Sequence, residues 1–451
     1  MKKWMSSCLA ATTLLAGACG PTEQSDEVVD LTGTTYEVAA EAADGVDQVL
    51  PRFQSRKEKA GEVSALAAGD AFWAWECQPQ TYGFTPVGSG AHFPNEAEST
   101  TGVLIGWPDY GCTVPELTGL VKAGLAGNTQ VSILTAPNNN NGVLSCLRRN
   151  GLSDADLARV ELVPVDVDSV WIRDYGPEIL TKADGSRRFV DMSYYPITSS
   201  SCTNLQGRVK DDSSPTHLAA LWGDEVVRPQ VRLEGGNLQT DGKGNCFRSR
   251  RNPNARNNFS EWQYTEEELN SVIGAAHGCK TTALESMVGG VIDHIDMYMT
   301  FISSKTVLVG SYEVADDAEN AAILDRNAAT LASMGYRVVR VPMPKPYCRK
   351  LLSGCTGLEQ QFEVCDGANE RMWATYMNSI RLGNVMAVPV YKWAPDSLKA
   401  TVAAQEAEAL AIYKRELDRE FGKGKVKVVT VQGDSLIPCQ GSLHCTTMTY
   451  K

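Results

Sequence analysis

Residues 442–451 read SLHCTTMTYK, with Cys445 directly after His444. Working outward, three earlier segments carry groups that complement a thiol. They are DHIDMYM at 293–299, containing His294 and Asp296; LEGGNLQTDG at 233–242, containing Glu234; and VWIRDYGP at 170–177, containing Trp171 and Asp174. A thiol, an imidazole and several carboxylates are the parts needed to attack a carbon held between charged nitrogens, which points to a guanidinium group. A thiol attacks as thiolate, so its ordinary pKa of about 8.5 must fall, or a cation must arrive, for reaction near neutrality. The competing reading of Cys445 is a disulfide with Cys439.

Each segment has a physical rationale. If VIDHIDMYMTF is a strand, alternation puts His294 and Asp296 on one face, an imidazole and a carboxylate entering one cavity. The aromatic plane of Trp171 beside the Asp174 carboxylate suits a flat cation. Arg173 is read as a structural ion-pair partner. Glu234 precedes Gly235 and Gly236, whose missing side chains let backbone approach a ligand closely.

Composition sets the bounds. The chain has 451 residues, 43% of them apolar, enough for one large domain or two ordinary ones. A net charge of −12 excludes nucleic acid as the expected partner, because neutralising phosphates takes clustered Lys and Arg. An acidic surface favours cationic substrates modestly.

The start reads as an export signal: Lys2 and Lys3, an apolar run at 9–15, then Ala16, Gly17 and Ala18 before Cys19. The run is too short to span a membrane as a helix. Small residues before a cysteine resemble a bacterial lipobox, in which Cys19 would be acylated. Ala16 stands where such boxes most often carry Leu, and secretion without lipid is the alternative. The expected division is a leader at 1–18, a flexible tether at 19–72 with a helix near 52–68, and one catalytic domain at 73–451. Any membrane contact would be through the lipid.

Of thirteen cysteines, Cys8 lies in the leader, Cys19 at the cleavage point and Cys445 in the candidate site. The even remainder is Cys77, Cys112, Cys146, Cys202, Cys246, Cys279, Cys348, Cys355, Cys365 and Cys439, which in an exported chain suggests disulfides. No CxxC pair or Cys/His cluster has zinc spacing, so no metal site is expected.

Strand-like runs recur at 101–108, 130–137, 159–167, 306–312, 336–344, 384–391 and 425–431. Helical spacing falls between them. Asp316 and Asp317 can cap a helix carrying Ala322, Ile323, Leu331 and Met334 up to Gly335. A second amphipathic helix runs from Ser397 through Leu398, Val402, Leu410, Tyr413, Leu417 and Phe421 to Gly422. The alternation gives an α/β class. NNNNG at 138–142 reads as a turn before a helix, and 199–204 and the arginine-bearing 246–259 as surface loops.

Taken together, the segments WIRDYGP, EGGNLQTDG, HID, ATYMNSIRLGNVMAVPVY (374–391) and GSLHC, in this order, resemble the agmatine deiminase and bacterial, Porphyromonas-type peptidylarginine deiminase family of the guanidine-modifying pentein superfamily. The resemblance implies a single-domain, five-bladed α/β propeller of ββαβ-type units around a central pocket. It implies Cys445 as nucleophile, His294 as general acid and base, Asp174 and Asp296 gripping the guanidinium, Glu234 beside His294 or the substrate, and Trp171 and Asn378 lining the pocket. The implied reaction passes through a covalent thiouronium to a ureido product and ammonia, and requires no metal or organic cofactor.

Two departures bear on substrate. Agmatine deiminases usually carry a Gly-Gly-Gly-x-Ile-His-Cys run where this chain has Cys439-Gln440-Gly441-Ser442-Leu443-His444-Cys445. The two arginines that clamp a C-terminal carboxylate in the bacterial peptidylarginine deiminases have no counterpart in YYPITSSS at 194–201. Export disfavours agmatine, whose metabolism is normally cytoplasmic, so peptidyl arginine ranks slightly ahead of it. The alternatives are an amidinotransferase of the same superfamily, a cysteine peptidase, and a guanidine-binding lipoprotein without turnover. Oligomeric state is left open.

Overall fold

The computed structural model describes residues 29–30, 86–87, 90–194, 197–198, 203–204, 208–250, 264–289, 292–349, 362–364 and 371–451. The expected leader, Cys19, nearly all of the tether and the helix near 52–68 lie outside the described residues.

Runs such as GVLIG at Gly102–Gly106 and VMAVPV at Val385–Val390 are buried at every position. Continuous apolar runs of this kind suit strands covered on both faces and paired in parallel. Each belongs to a repeated unit in which two antiparallel strands are followed by a helix and a third strand, parallel to the second. The second unit comprises Glu178–Thr181, Arg187–Val190, helix Val209–Trp222 and Glu225–Val227. The third comprises Gln239–Thr240, Asn245–Ser249, helix Glu266–His277 and Lys280–Leu284. Met299–Phe301, Thr306–Ser311, helix Val314–Ser333 and Arg337–Pro342 make the fourth. Ile380–Leu382, Val385–Val390, helix Lys399–Phe421 and Lys427–Gln432 make the fifth.

The first unit borrows its leading strand from the far end of the sequence. Met448–Tyr450 lies antiparallel to Gly102–Gly106, which is followed by helix Pro115–Ala126 and the parallel strand Gln130–Leu134; Val160–Val163 extends this sheet. The ring of five units is thereby closed. Just before each leading strand lies a short segment, at 171–177, 234–238, 294–298, 375–379 and 444–447. Four of these contain a single helical turn: Ile172–Tyr175, Gly235–Asn237, Ile295–Met297 and His444–Thr446. All five meet at one centre through side-chain contacts. This is the five-bladed α/β fold that the resemblance implies.

All seven strand-like runs form strands, and both helices are present. In the first, Asp317 has non-helical φ −158° and ψ 86°, and its carboxylate accepts from Asn320 N–H, so it caps the longer part of Val314–Ser333. Ala322 and Met334 turn outward, off the stripe of Ile323, Leu324 and Leu331 that faces the core. In the second, Val402, Ile412, Tyr413 and Leu417 are buried, while Leu410 is half-buried.

Three local expectations are corrected. The asparagine run at 138–142 enters a helix, Asn140–Arg149. Residues 246–249 of the supposed loop belong to Asn245–Ser249, the central strand of the third unit, where Arg248 is fully buried and donates to Asn270 Oδ1 at 2.7 Å; its pairing with Lys280–Leu284 overrides the polar composition. Residues 203–204 form a short strand against 197–198, and the remainder of both expected loops lies outside the described residues. Within the expected tether, Val29–Asp30 pairs in parallel with Val429 and Thr430 at the edge of the fifth unit.

Cys112 is bonded to Cys146 and Cys246 to Cys279, and Cys348 is disulfide-bonded as well. The Cys246–Cys279 bond closes a sequence separation of 33 within the third unit. On the chain-entropy model such a loop contributes about 3–4 kcal/mol. Replacing both cysteines with Ser is expected to lower the free energy of urea unfolding by that order; an unchanged midpoint would show that the bond does not constrain the unfolded chain.

Candidate active site

The loop carrying Asp174 is pinned before it arrives. Asp211, in the first turn of helix Val209–Trp222, accepts hydrogen bonds from the backbone N–H groups of Asp168 and Ser169 and from the Ser169 hydroxyl, at 2.7, 3.0 and 2.6 Å. Arg173, as read from sequence, is structural: Nη1 lies 3.2 Å from Glu96 Oε1 and Nε donates to Thr447 O at 3.0 Å. That frees Asp174, one residue on, to face the centre.

Seven side chains from five loops meet there. His294 lies between two acids, with Nδ1 3.4 Å from Asp174 Oδ1 and Nε2 3.1 Å from Glu234 Oε2. Asp296 Oδ2 is 3.6 Å from Cys445 Sγ and 2.7 Å from His444 Nδ1. Asn378 donates from Nδ2 to Cys445 Sγ at 3.2 Å, and its Oδ1 accepts from the backbone N–H groups of His444 and Cys445 at 2.9 and 3.3 Å. All are buried. Gly236 sits where a Cβ would come within 2.6 Å of His294 Nδ1 and 2.7 Å of Asp174 Oδ1, so the close approach expected at the Gly-Gly pair brings backbone against these two side chains.

The electrostatics describe a site short of positive charge. Burial pushes the Asp174 carboxyl well up; His294 opposes this, and Asp296 and Glu234 reinforce it. Burial by itself would lower His294, but Asp174, Glu234 and Asp296 carry it up to about 9. Burial, then Asp296 and Asp174, push the Cys445 thiol well above its ordinary value. Among the described residues, Asp174 Oδ2 and Asp296 Oδ1 have no hydrogen-bond partner. A planar cation with several N–H donors would satisfy both oxygens and supply the missing charge. Donor atoms of His294, Asp296 and Cys445 also lie within 4.8 Å of one another, a spacing that a borderline-soft divalent ion could bridge.

Every candidate residue from Asp174 to Cys445 is thus brought to one centre, and Trp171 and Asn378 pack around the Cys445 loop. Trp171 is fully buried and packs on Gly441, where a Cβ would lie 2.2 Å from its ring, so it supports that loop. Asn378 holds that loop and the thiol. His294 and Asp296 lie on no strand: Asp293 has left-handed φ of 52°, and a single 3-10 turn follows. That turn, not strand alternation, aims both side chains inward. Cys439 and Cys445 are both buried thiols, so the disulfide reading of Cys445 does not hold.

A narrow cleft has apolar walls from Met287, Ile292, Met297 and Trp373, and includes His294, Asp293 and Gln440. Two of the three described non-glycine residues with positive φ, Asp293 and Gln440, line it; strained backbone of this kind gathers at functional sites. Sequence reasoning missed Trp373, Gln440 and Glu96. Trp373 stands one residue before a recognised segment, whereas HFPNEAE around Glu96 carries no local signal at all.

The comparisons with known proteins agree with this geometry. A putative agmatine deiminase of Vibrio parahaemolyticus is 23% identical over 381 residues, 77% of this chain and 98% of that protein. A putative arginine deiminase from Porphyromonas gingivalis superposes with a TM-score of 0.57 at 20% identity, covering 80% of this chain and 98% of that one. A substrate-bound agmatine deiminase from C. jejuni gives a TM-score of 0.58 at 18% identity, covering 82% and 98%. The family model described as Porphyromonas-type peptidyl-arginine deiminase matches residues 92–450, from ahead of Glu96 to the ring-closing strand, and the chain belongs to that family.

Proposed function

We propose that the protein is an exported guanidine deiminase that works through a covalent intermediate on Cys445. The observation that carries the reading is the pair of unpartnered oxygens, Asp174 Oδ2 and Asp296 Oδ1, buried beside a thiol and an imidazole. A guanidinium entering between them donates N–H bonds to both. Its charge lowers the thiol pKa, and the thiol proton leaves to solvent. The thiolate attacks the central carbon, forming a C–S bond. His294 gives its proton to the departing nitrogen, the C–N bond breaks, and ammonia leaves a thiouronium on Cys445. Neutral His294 then takes a proton from water, whose oxygen attacks the same carbon. The C–S bond breaks as the new hydroxyl gives its proton to the departing sulfur, releasing the ureido product and restoring the thiol. Fixing the cation with two carboxylates makes the attack effectively intramolecular.

The apolar walls of the cleft suit the methylene arm of arginine or agmatine. No Lys or Arg lines the cleft among the described residues, so nothing there clamps a free carboxylate. We therefore rank an arginine inside a peptide first and agmatine second; the curated relatives named agmatine deiminase support the latter. Export, with Cys19 as the lipidated residue, is supported by the basic and apolar start and by the two described disulfides, which suit an oxidising compartment.

The purified protein is expected to release ammonia from a panel of agmatine, free arginine and peptides with internal or terminal arginine, raising product mass by about one dalton as NH is replaced by O. Cys445→Ala abolishes this. No ammonia from any panel member would sink the reading, and amidine transfer to an added amine would reassign the chain to an amidinotransferase.

Protonation gives a second test. Because folding raises His294 from 6.5 to about 9, its contribution to stability is complete below about pH 6.5 and is lost as pH rises through 9. Urea unfolding should show stability falling across that window, and His294→Gln should flatten the fall; an identical slope in both proteins would refute the assignment.

A further inference from the structure

Behind the nucleophile lies a second imidazole that the proposed chemistry does not use. His444 is 1% exposed and sits between two acids from different units. Nδ1 is 2.7 Å from Asp296 Oδ2, and Nε2 is 3.0 Å from Glu96 Oε2, an ion-pair contact off the ideal hydrogen-bond line. Glu96 is tied on its other side to Arg173, whose Nε holds Thr447 O next to the ring-closing strand. Glu178, a further buried acid near Arg173, is pushed by burial up to about 8, opposed by Arg173, and so stays largely neutral at pH 7.

An imidazole with a carboxylate at each nitrogen can donate to both only as imidazolium. Its charge state agrees: burial and Arg173 would lower His444, but Glu96 and Asp296 raise it, while Arg173 and His444 hold Glu96 down at about 2 against burial. The consequence falls on Asp296. With Oδ2 engaged by His444 and in contact with Cys445 Sγ, the carboxylate is fixed in one orientation, and Oδ1 is turned to where a guanidinium would lie.

We infer that Glu96 and His444 form a positioning pair that orients Asp296 toward the guanidinium and holds it there through a buried Glu96–His444–Asp296 chain. This rests on the deiminase reading of the site. Neither residue touches substrate. Glu96 acts through His444, and His444 acts through Asp296. Misplacing a gripping group by about 1 Å costs up to about 100-fold in rate.

The experiment is a double-mutant cycle in the full chain. Glu96→Gln preserves shape and removes the charge that holds His444. It is expected to lower kcat by about 10- to 100-fold with KM changed less than about threefold. His444→Asn keeps a donor near the position of Nδ1 and should retain more activity than His444→Ala. In the His444→Asn background Glu96→Gln should have little further effect, since the link between Glu96 and Asp296 is already cut. A second readout needs no turnover: NMR of histidine-labelled protein should show the His444 titration midpoint falling in Glu96→Gln. Unchanged kcat in Glu96→Gln, fully additive effects, or an unmoved His444 midpoint would each overturn the pair. A wild-type protein that turns over no guanidine would instead defeat the deiminase reading, with the His444 titration still deciding whether the pair exists.

Discussion

Three carboxylates buried around one imidazole form a charge imbalance that only a rigid frame can hold. Left to relax, Asp174, Glu234 and Asp296 would move apart or take up water. They cannot, because each is fixed just ahead of the leading strand of a different unit, and the units are locked to one another by the pairing of Met448–Tyr450 with Gly102–Gly106. The fold thus brings acids from distant parts of the sequence together and stops them from separating. The cation they lack is what the site is shaped to receive, and the raised His294 and Cys445 are two expressions of that one deficit.

Much of this was legible in the sequence. The long apolar strands announce themselves because burial on both faces demands unbroken runs such as Val385–Val390. The leading strands do not. Gln239–Thr240 and Ile380–Leu382 are too short for any alternation to show, and the segments before them are single turns without periodicity. His294 and Asp296 reach the centre by a turn that their spacing did not reveal, since an Asp at 293 is only a weak signal for left-handed backbone. Glu96 lies at the limit of such reading: its importance comes from contacts with Arg173 and His444, both remote in sequence. Family resemblance pointed to the groups that meet at the centre and said nothing of how Trp171 and Asn378 support it, because that depends on what packs around the Cys445 loop.

The division between gripping and supporting groups is sharp. Among the described residues Asp174 and Asp296 each present an oxygen without a hydrogen-bond partner, whereas Arg173, Asn378 and Asp211 each use at least one polar atom to hold backbone. Neighbours in sequence fall on opposite sides of this line, Arg173 beside Asp174 and His444 beside Cys445. A single turn of helix separates them by pointing consecutive side chains in different directions.

The strand that closes the ring also sets the order of events as the chain folds. Met448–Tyr450 finds its partner across nearly the whole described sequence, the kind of contact that costs most chain entropy and forms late. Cys445 stands three residues ahead of that strand, so closing the ring and seating its thiol are tied to each other in space. With the ring open the sulfur is exposed at ordinary acidity, and with the ring closed it is buried and suppressed. Thiol reactivity at Cys445 thus reads out ring closure.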